Sequence, residues 1–99
     1  MTVVFDPGST ICWLPTIGCN TTACPNGRFD YNSSDSFFNT TDVGETAYVS
    51  GSIKGTYTRD HACVASSSCT NQNFKFLSVY ETSGDLKLLK SDGVCGIAP

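Results

Sequence analysis

Val3-Val4-Phe5-Asp6-Pro7-Gly8-Ser9-Thr10-Ile11-Cys12-Trp13-Leu14-Pro15 is the stretch on which the reading of this chain turns. Val3 to Phe5 is a short β-branched and aromatic run, Asp6-Pro7-Gly8-Ser9 is a cluster of turn formers, and Ile11 to Leu14 resumes the apolar run. The pattern predicts a strand, a tight turn and a second strand. It presents a carboxylate on the turn with a serine hydroxyl beside it, one way to position an acid or base. Taken alone, the tetrapeptide is ordinary turn chemistry.

Working outward, Gly18 to Thr40 is rich in Asn, Thr, Ser and Gly and predicts a long surface excursion with one or two helical turns, anchored by Phe29, Tyr31, Phe37 and Phe38. Thr46 to Thr58 reads as a hairpin with its tip near Val49-Ser50-Gly51. His61 to Ala65 and Phe74 to Tyr80 read as two further strands, with Phe74, Phe76 and Tyr80 sharing one face at period two. Asp85 to Lys90 predicts a short helix, and Asp92 to Ile97 returns to a short apolar strand. The expected fold class is all-β, in one domain over residues 1–99.

With 99 residues and 39% hydrophobic content, the core is modest and gains from cross-links. Six cysteines, together with Asn-X-Ser/Thr sequons at Asn20, Asn32 and Asn39, point to the oxidising secretory pathway. Six basic against nine acidic residues give a net charge of -3 without a basic run, which argues against nucleic acid as a partner. No window approaches the roughly 20 apolar residues of a membrane helix, and Met1-Thr2-Val3-Val4-Phe5-Asp6 lacks the features of a secretory signal, so the chain reads as incomplete.

Several segments, in order, carry a more specific signal. Val3 to Thr10 with Trp13-Leu14-Pro15 resembles the first catalytic segment of the pepsin-like aspartic proteases. Cys19 and Cys24 match the small disulfide loop that follows in that family. Phe29-Asp30 with Ser33, Ser34 and Phe37 resembles its next segment, and Tyr48-Val49-Ser50-Gly51-Ser52-Ile53-Lys54-Gly55 resembles its flap. Asp92-Gly93-Val94-Cys95-Gly96-Ile97-Ala98 resembles a later, non-catalytic segment.

The resemblance implies part of the amino-terminal lobe of a bilobal all-β acid protease, with a flap hairpin and one or two short helices. It implies an endopeptidase in which two carboxylates, one from each lobe, share a proton and activate a water for attack on a peptide bond. Asp6 is then the catalytic residue this chain supplies, with Gly8, Ser9 and Trp13 supporting it and Ser9 donating to its carboxylate. Tyr48, Ser50 and Gly51 belong to the flap and contact substrate, and the Tyr48 hydroxyl bonds Trp13. The implied partners are a peptide or protein substrate and the missing carboxy-terminal lobe, with no cofactor and no metal, in a lysosome, a vacuole or the extracellular space.

Two positions depart from the family wording. Pro7 replaces a Thr or Ser and removes a hydroxyl and an N–H from the place where the lobes bond each other. Val49 replaces a flap glycine. No second Asp-Thr/Ser-Gly occurs, so the 99 residues are expected to have no peptidase activity alone. The alternative function is a catalytically inactive module that uses the cleft to bind peptides or proteins. A self-dimerising retroviral-type protease fits the chain length but not the cysteine and tryptophan pattern.

Six cysteines admit about 15 pairings. Cys63 and Cys69 are candidates for a bridge between adjacent strands, with a zinc site as the alternative. Cys12 and Cys95 read either as a third bridge or as two buried thiols. His61 has no recognisable catalytic partner and is assigned a structural place.

Overall fold

The computed structural model of the chain describes residues 3–20, 24, 27–48, 51–65, 68–70, 74–84 and 92–96. Its strands are β1 (Val3–Asp6), β2 (Cys12–Pro15), β3 (Phe38–Tyr48), β4 (Gly51–Asp60), β5 (Cys63–Ala65), β6 (Ser68–Cys69), β7 (Phe74–Gly84) and β8 (Gly93–Gly96). Six of them form one sheet in the order β1-β8-β2-β7-β4-β3, and β5 and β6 form a separate pair. The all-β expectation holds.

The two strands flanking the Asp6 turn are not hydrogen-bonded to each other. β8 lies between them, parallel to β1 and antiparallel to β2, with Asp6 opposite Gly96 and Cys12 opposite Cys95. The fit requires glycine at position 96, because a Cβ there would come within 2.4 Å of the Ser9 carbonyl oxygen.

The core follows from this order. Trp13, Leu77 and Val94 meet across β2, β7 and β8, joined by Ile53 and Val79, with Ile11, Tyr48 and Tyr57 packed around them. Ile53, Leu77 and Val79 are essentially inaccessible, and burying each contributes about 1.5–3 kcal/mol. That exceeds what any exposed turn hydrogen bond adds.

Alternation along β7 sends Phe74 and Phe76 to the opposite face, where they continue a row of rings through Phe29, Phe37 and Tyr31. Tyr80 does not join them. It falls in a register shift, where Val79 pairs with Gly55 and Glu81 with Lys54, and its side chain is exposed. A bulge breaks the period-two pattern at that residue.

The hairpin is longer than its sequence suggests. β3 begins at Phe38 rather than near Thr46, and the surface excursion is correspondingly shorter. Phe38 to Asp42 has no apolar alternation because β3 is the sheet's edge and most of it is exposed, and a register shift between Asn39 and Val43 interrupts the ladder. Among the described residues the excursion contains one 3-10 turn, Tyr31–Ser33, capped by Asp30, whose carboxylate accepts from Asn32 N–H and Ser33 Oγ. The short helix expected over Asp85 to Lys90 lies outside the described residues.

A buried acid ties the excursion to the sheet. Asp60, at the end of β4, is 5% exposed and accepts from Ser34 Oγ at 2.6 Å, from Ser36 Oγ and from His61 N–H at 2.7 Å. Burial is the largest single influence on this carboxyl and would raise its pKa. The two serine hydroxyls, the amide and the charge of the His61 imidazole outweigh it and hold the pKa below the usual carboxylate value.

Gly96→Ala is therefore expected to lower stability by about 1–3 kcal/mol, read as a fall in denaturation midpoint, through displacement of the Asp6 turn. Asp60→Asn is expected to cost about 1–3 kcal/mol at neutral pH. Because the folded-state pKa is depressed, the advantage of the native carboxylate is present above its unfolded value and is lost as pH falls through and below 3.8. Denaturation of both proteins across an acid series should show their difference shrinking there. A constant difference would rule out an ionic role for Asp60.

Candidate active site

Asp6 closes β1 and enters the turn as a half-buried residue. The Gly8 N–H donates to its Oδ1 at 2.9 Å, and the Ser9 N–H returns to its main-chain oxygen at 3.5 Å. Pro7 contributes no donor, so the carboxylate receives one hydrogen bond from its own turn, and none reaches Oδ2 from the described residues. The turn thus fixes one oxygen and leaves the other open.

Ser9 differs from expectation. Its Oγ is covered and makes no hydrogen bond among the described residues, so Gly8 rather than Ser9 is the donor to Asp6. Gly96 runs close alongside Ser9, so that a Cβ at position 96 would meet both the Ser9 carbonyl at 2.4 Å and its Oγ at 2.7 Å.

Trp13 and Tyr48 come together although 35 residues separate them. The indole Nε1–H donates to the Tyr48 hydroxyl at 3.0 Å, joining β2 to the end of β3. Burial pushes the Tyr48 phenol above its ordinary value, the Asp6 charge adds to that rise, and the Trp13 donor and nearby Ser9 hydroxyl oppose it without cancelling it. Tyr48 thus stays a neutral phenol that accepts from Trp13 and keeps its own proton to donate.

Gly51 opens β4 directly opposite Tyr48, with a φ of 154° that a side chain would strain. Val49, which replaces the flap glycine, and Ser50 join them and lie outside the described residues.

The cysteines form three bridges, Cys12–Cys95, Cys19–Cys24 and Cys63–Cys69. The open choice at Cys12 and Cys95 resolves as a disulfide between facing residues of β2 and β8, and bridging removes the thiolates a zinc site would need. Asp92 accepts from Gly27 N–H at 2.9 Å, as a turn residue tying two loops. His61 contributes its amide to Asp60. The residue that sequence reasoning passed over is Asp60. Its only local signal was an acid ending a run of β-forming residues.

A groove of about 610 Å³ opens on the aromatic face, lined by Phe5, Trp13, Phe29, Phe74 and Phe76 among others, and neither Asp6 nor Tyr48 borders it. The residues of the Asp6 turn are not among its lining.

A carboxylate on a glycine-braced turn thus shares the sheet with a hairpin tethered by a Trp–Tyr hydrogen bond. The chain matches the family described as eukaryotic aspartyl protease over residues 1–99, and it belongs to that family. It is 38% identical to pepsin A of Suncus murinus over 98 residues, 36% to pepsin A of Gallus gallus over 97, and 37% to pepsin A of Bos taurus over 98. These matches take in 97–98% of this chain but only 25–26% of each relative, so the chain spans about a quarter of their length and corresponds to part of a pepsin-like amino-terminal lobe. The three bridges suit the secretory pathway. Among the described residues no helix is long and apolar enough to cross a membrane.

Tyr48→Phe keeps the ring but strands the Trp13 N–H, and is expected to cost about 1–3 kcal/mol of stability by chemical denaturation. In spectrophotometric titration, one tyrosine of the native protein should ionise above 10.0 and be missing from the variant. Since the folded-state pKa is raised, the stabilisation is complete below 10.0 and is lost as pH climbs through the folded value.

Proposed function

We propose that this chain supplies one half of an aspartic endopeptidase site in its full-length protein. The observation that carries the reading is Asp6, held through Oδ1 by Gly8 with Oδ2 left open. A second carboxylate from the other lobe faces Oδ2, the pair shares one proton, and a water between them attacks the carbonyl of a bound peptide while the protonated partner polarises its oxygen. Tyr48, on the hairpin end, closes over an extended peptide and excludes water from the reaction. Gly8 positions Asp6 and Trp13 positions Tyr48, and Ser50 and Gly51 contact substrate.

Other features support a larger assembly. Val4 and Phe5 are 44% and 57% exposed on the edge strand β1, and Phe5 also lines the aromatic groove. A longer polypeptide would cover such apolar surface. Residues 1–99 form part of one lobe, and the other lobe is the partner that completes the site. The protein acts in an acidic lysosome, vacuole or extracellular space.

Pro7 favours a second reading, a catalytically inactive lobe pair that binds peptides or proteins in the same cleft. Proline brings neither the hydroxyl nor the N–H with which two such turns would bond each other. The two readings part at the second carboxylate.

In the full-length protein, Asp6→Asn should abolish peptide hydrolysis at acid pH, a loss of at least about 10⁴-fold by the scale on which removal of an essential catalytic group acts, while the thermal transition stays in place. Cleavage at the wild-type rate would refute Asp6 as a catalytic residue. Peptide binding without cleavage in both proteins would select the binding module.

A further inference from the structure

Three Asn-X-Ser/Thr sequons remain outside the site, and the fold separates them. Asn20 closes the small disulfide loop, its carbonyl accepting from Cys24 N–H at 2.8 Å, and Thr22, which completes its sequon, lies outside the described residues. Asn32 is exposed on the 3-10 turn, but the hydroxyl that completes its sequon, Ser34 Oγ, is committed to Asp60 at 2.6 Å. Asn39 is exposed on β3, and its Oδ1 accepts from Thr56 Oγ1 at 3.3 Å. That contact orients the amide and leaves Nδ2 to solvent. Thr41 is exposed, and its hydroxyl makes no hydrogen bond among the described residues.

The surroundings of Asn39 give a modification there a purpose. Among the described residues β3 pairs with β4 alone and forms the outer edge of the sheet. Phe38 is 61% exposed and Val43 55%, one on each side of Asn39 along the strand. A long edge with exposed apolar side chains is a template for pairing with another chain, and proteins cover or interrupt such edges. The register shift after Asn39 is one interruption. A bulky, hydrated group on Asn39 would be another.

We propose that Asn39 carries an N-linked oligosaccharide that shields the β3 edge from strand pairing. The donor is a polyprenyl-diphosphate-linked oligosaccharide of the secretory pathway. Asn39 Nδ2 forms the bond to the anomeric carbon, the bond from that carbon to the diphosphate oxygen breaks with its electron pair on the diphosphate, and one amide proton passes to a base of the transferase. No oxidant or reductant takes part. The assignment does not depend on Asp6 and stands whether or not the protein hydrolyses peptides.

The test uses the full-length protein secreted from a eukaryotic host. Release of glycans with peptide N-glycosidase in heavy-oxygen water, followed by peptide mass spectrometry, should find residue 39 converted to labelled Asp. A secreted protein whose Asn39 peptide is unmodified, with or without sugar at Asn20 or Asn32, overturns the site. Thr41→Ala and Asn39→Gln should each remove the same single glycan. Thr41→Ala leaves the Asn39–Thr56 contact intact if the glutamine variant fails to fold. Enzymatic deglycosylation of the already folded wild type should raise concentration-dependent association in light scattering. Scattering that stays unchanged would overturn the shielding role.

Discussion

The placement of β8 between β1 and β2 is the constraint on which the rest of the molecule depends. It sets Asp6 opposite Gly96, brings Gly96 close against Ser9, and places Val94 against Trp13 in the core. It also closes a loop of 83 residues through Cys12–Cys95. In the chain-entropy account a bridge of that span restricts the unfolded state by about 4–5 kcal/mol, against about 2 kcal/mol for the five-residue loop of Cys19–Cys24. The long bridge fastens the insertion beside the Asp6 turn, where a small displacement of β8 would move the carboxylate.

Legibility in the sequence followed the range of the interactions. The Asp6 turn and its flanking strands are specified by adjacent residues, and Val3 to Leu14 reads correctly as strand, turn, strand. What could not be read is that a strand from the far end of the chain separates them, because nothing local in Gly93–Gly96 names its neighbours. Tyr48 and Trp13 were placed by resemblance, and the 3.0 Å bond between them is a tertiary outcome of hairpin length and sheet order.

The start of β3 was missed for a related reason. An edge strand exposed over most of its length has no apolar rhythm, so Asn39-Thr40-Thr41-Asp42 looks like loop. Asp60 went unread because its partners lie 24 and 26 residues upstream. An ionised acid at 5% exposure is expensive unless donors surround it, and only the folded excursion supplies them. Hydroxyl and amide donors hold Asp60 ionised further into acid than an ordinary carboxyl, so the link between excursion and sheet persists where many native carboxylates have already taken up protons.

The polarity of the site is fixed by the direction of its hydrogen bonds. Trp13 can only donate, so the Tyr48 oxygen accepts, and the phenol proton is left to point elsewhere. Because burial and the nearby Asp6 charge keep that phenol neutral, the hairpin end offers a donor across the whole acid and neutral range. Gly8 N–H is a second donor, already engaged with Asp6. Around one acceptor, the carboxylate, the described residues therefore gather neutral donors and no basic group. A lone carboxylate so placed can bind an amide or hydroxyl, but it cannot both take a proton from water and polarise a carbonyl. In the endopeptidase reading proposed above, a second acid stands opposite Oδ2, and the turn that carries Pro7 has no N–H at that residue to align it.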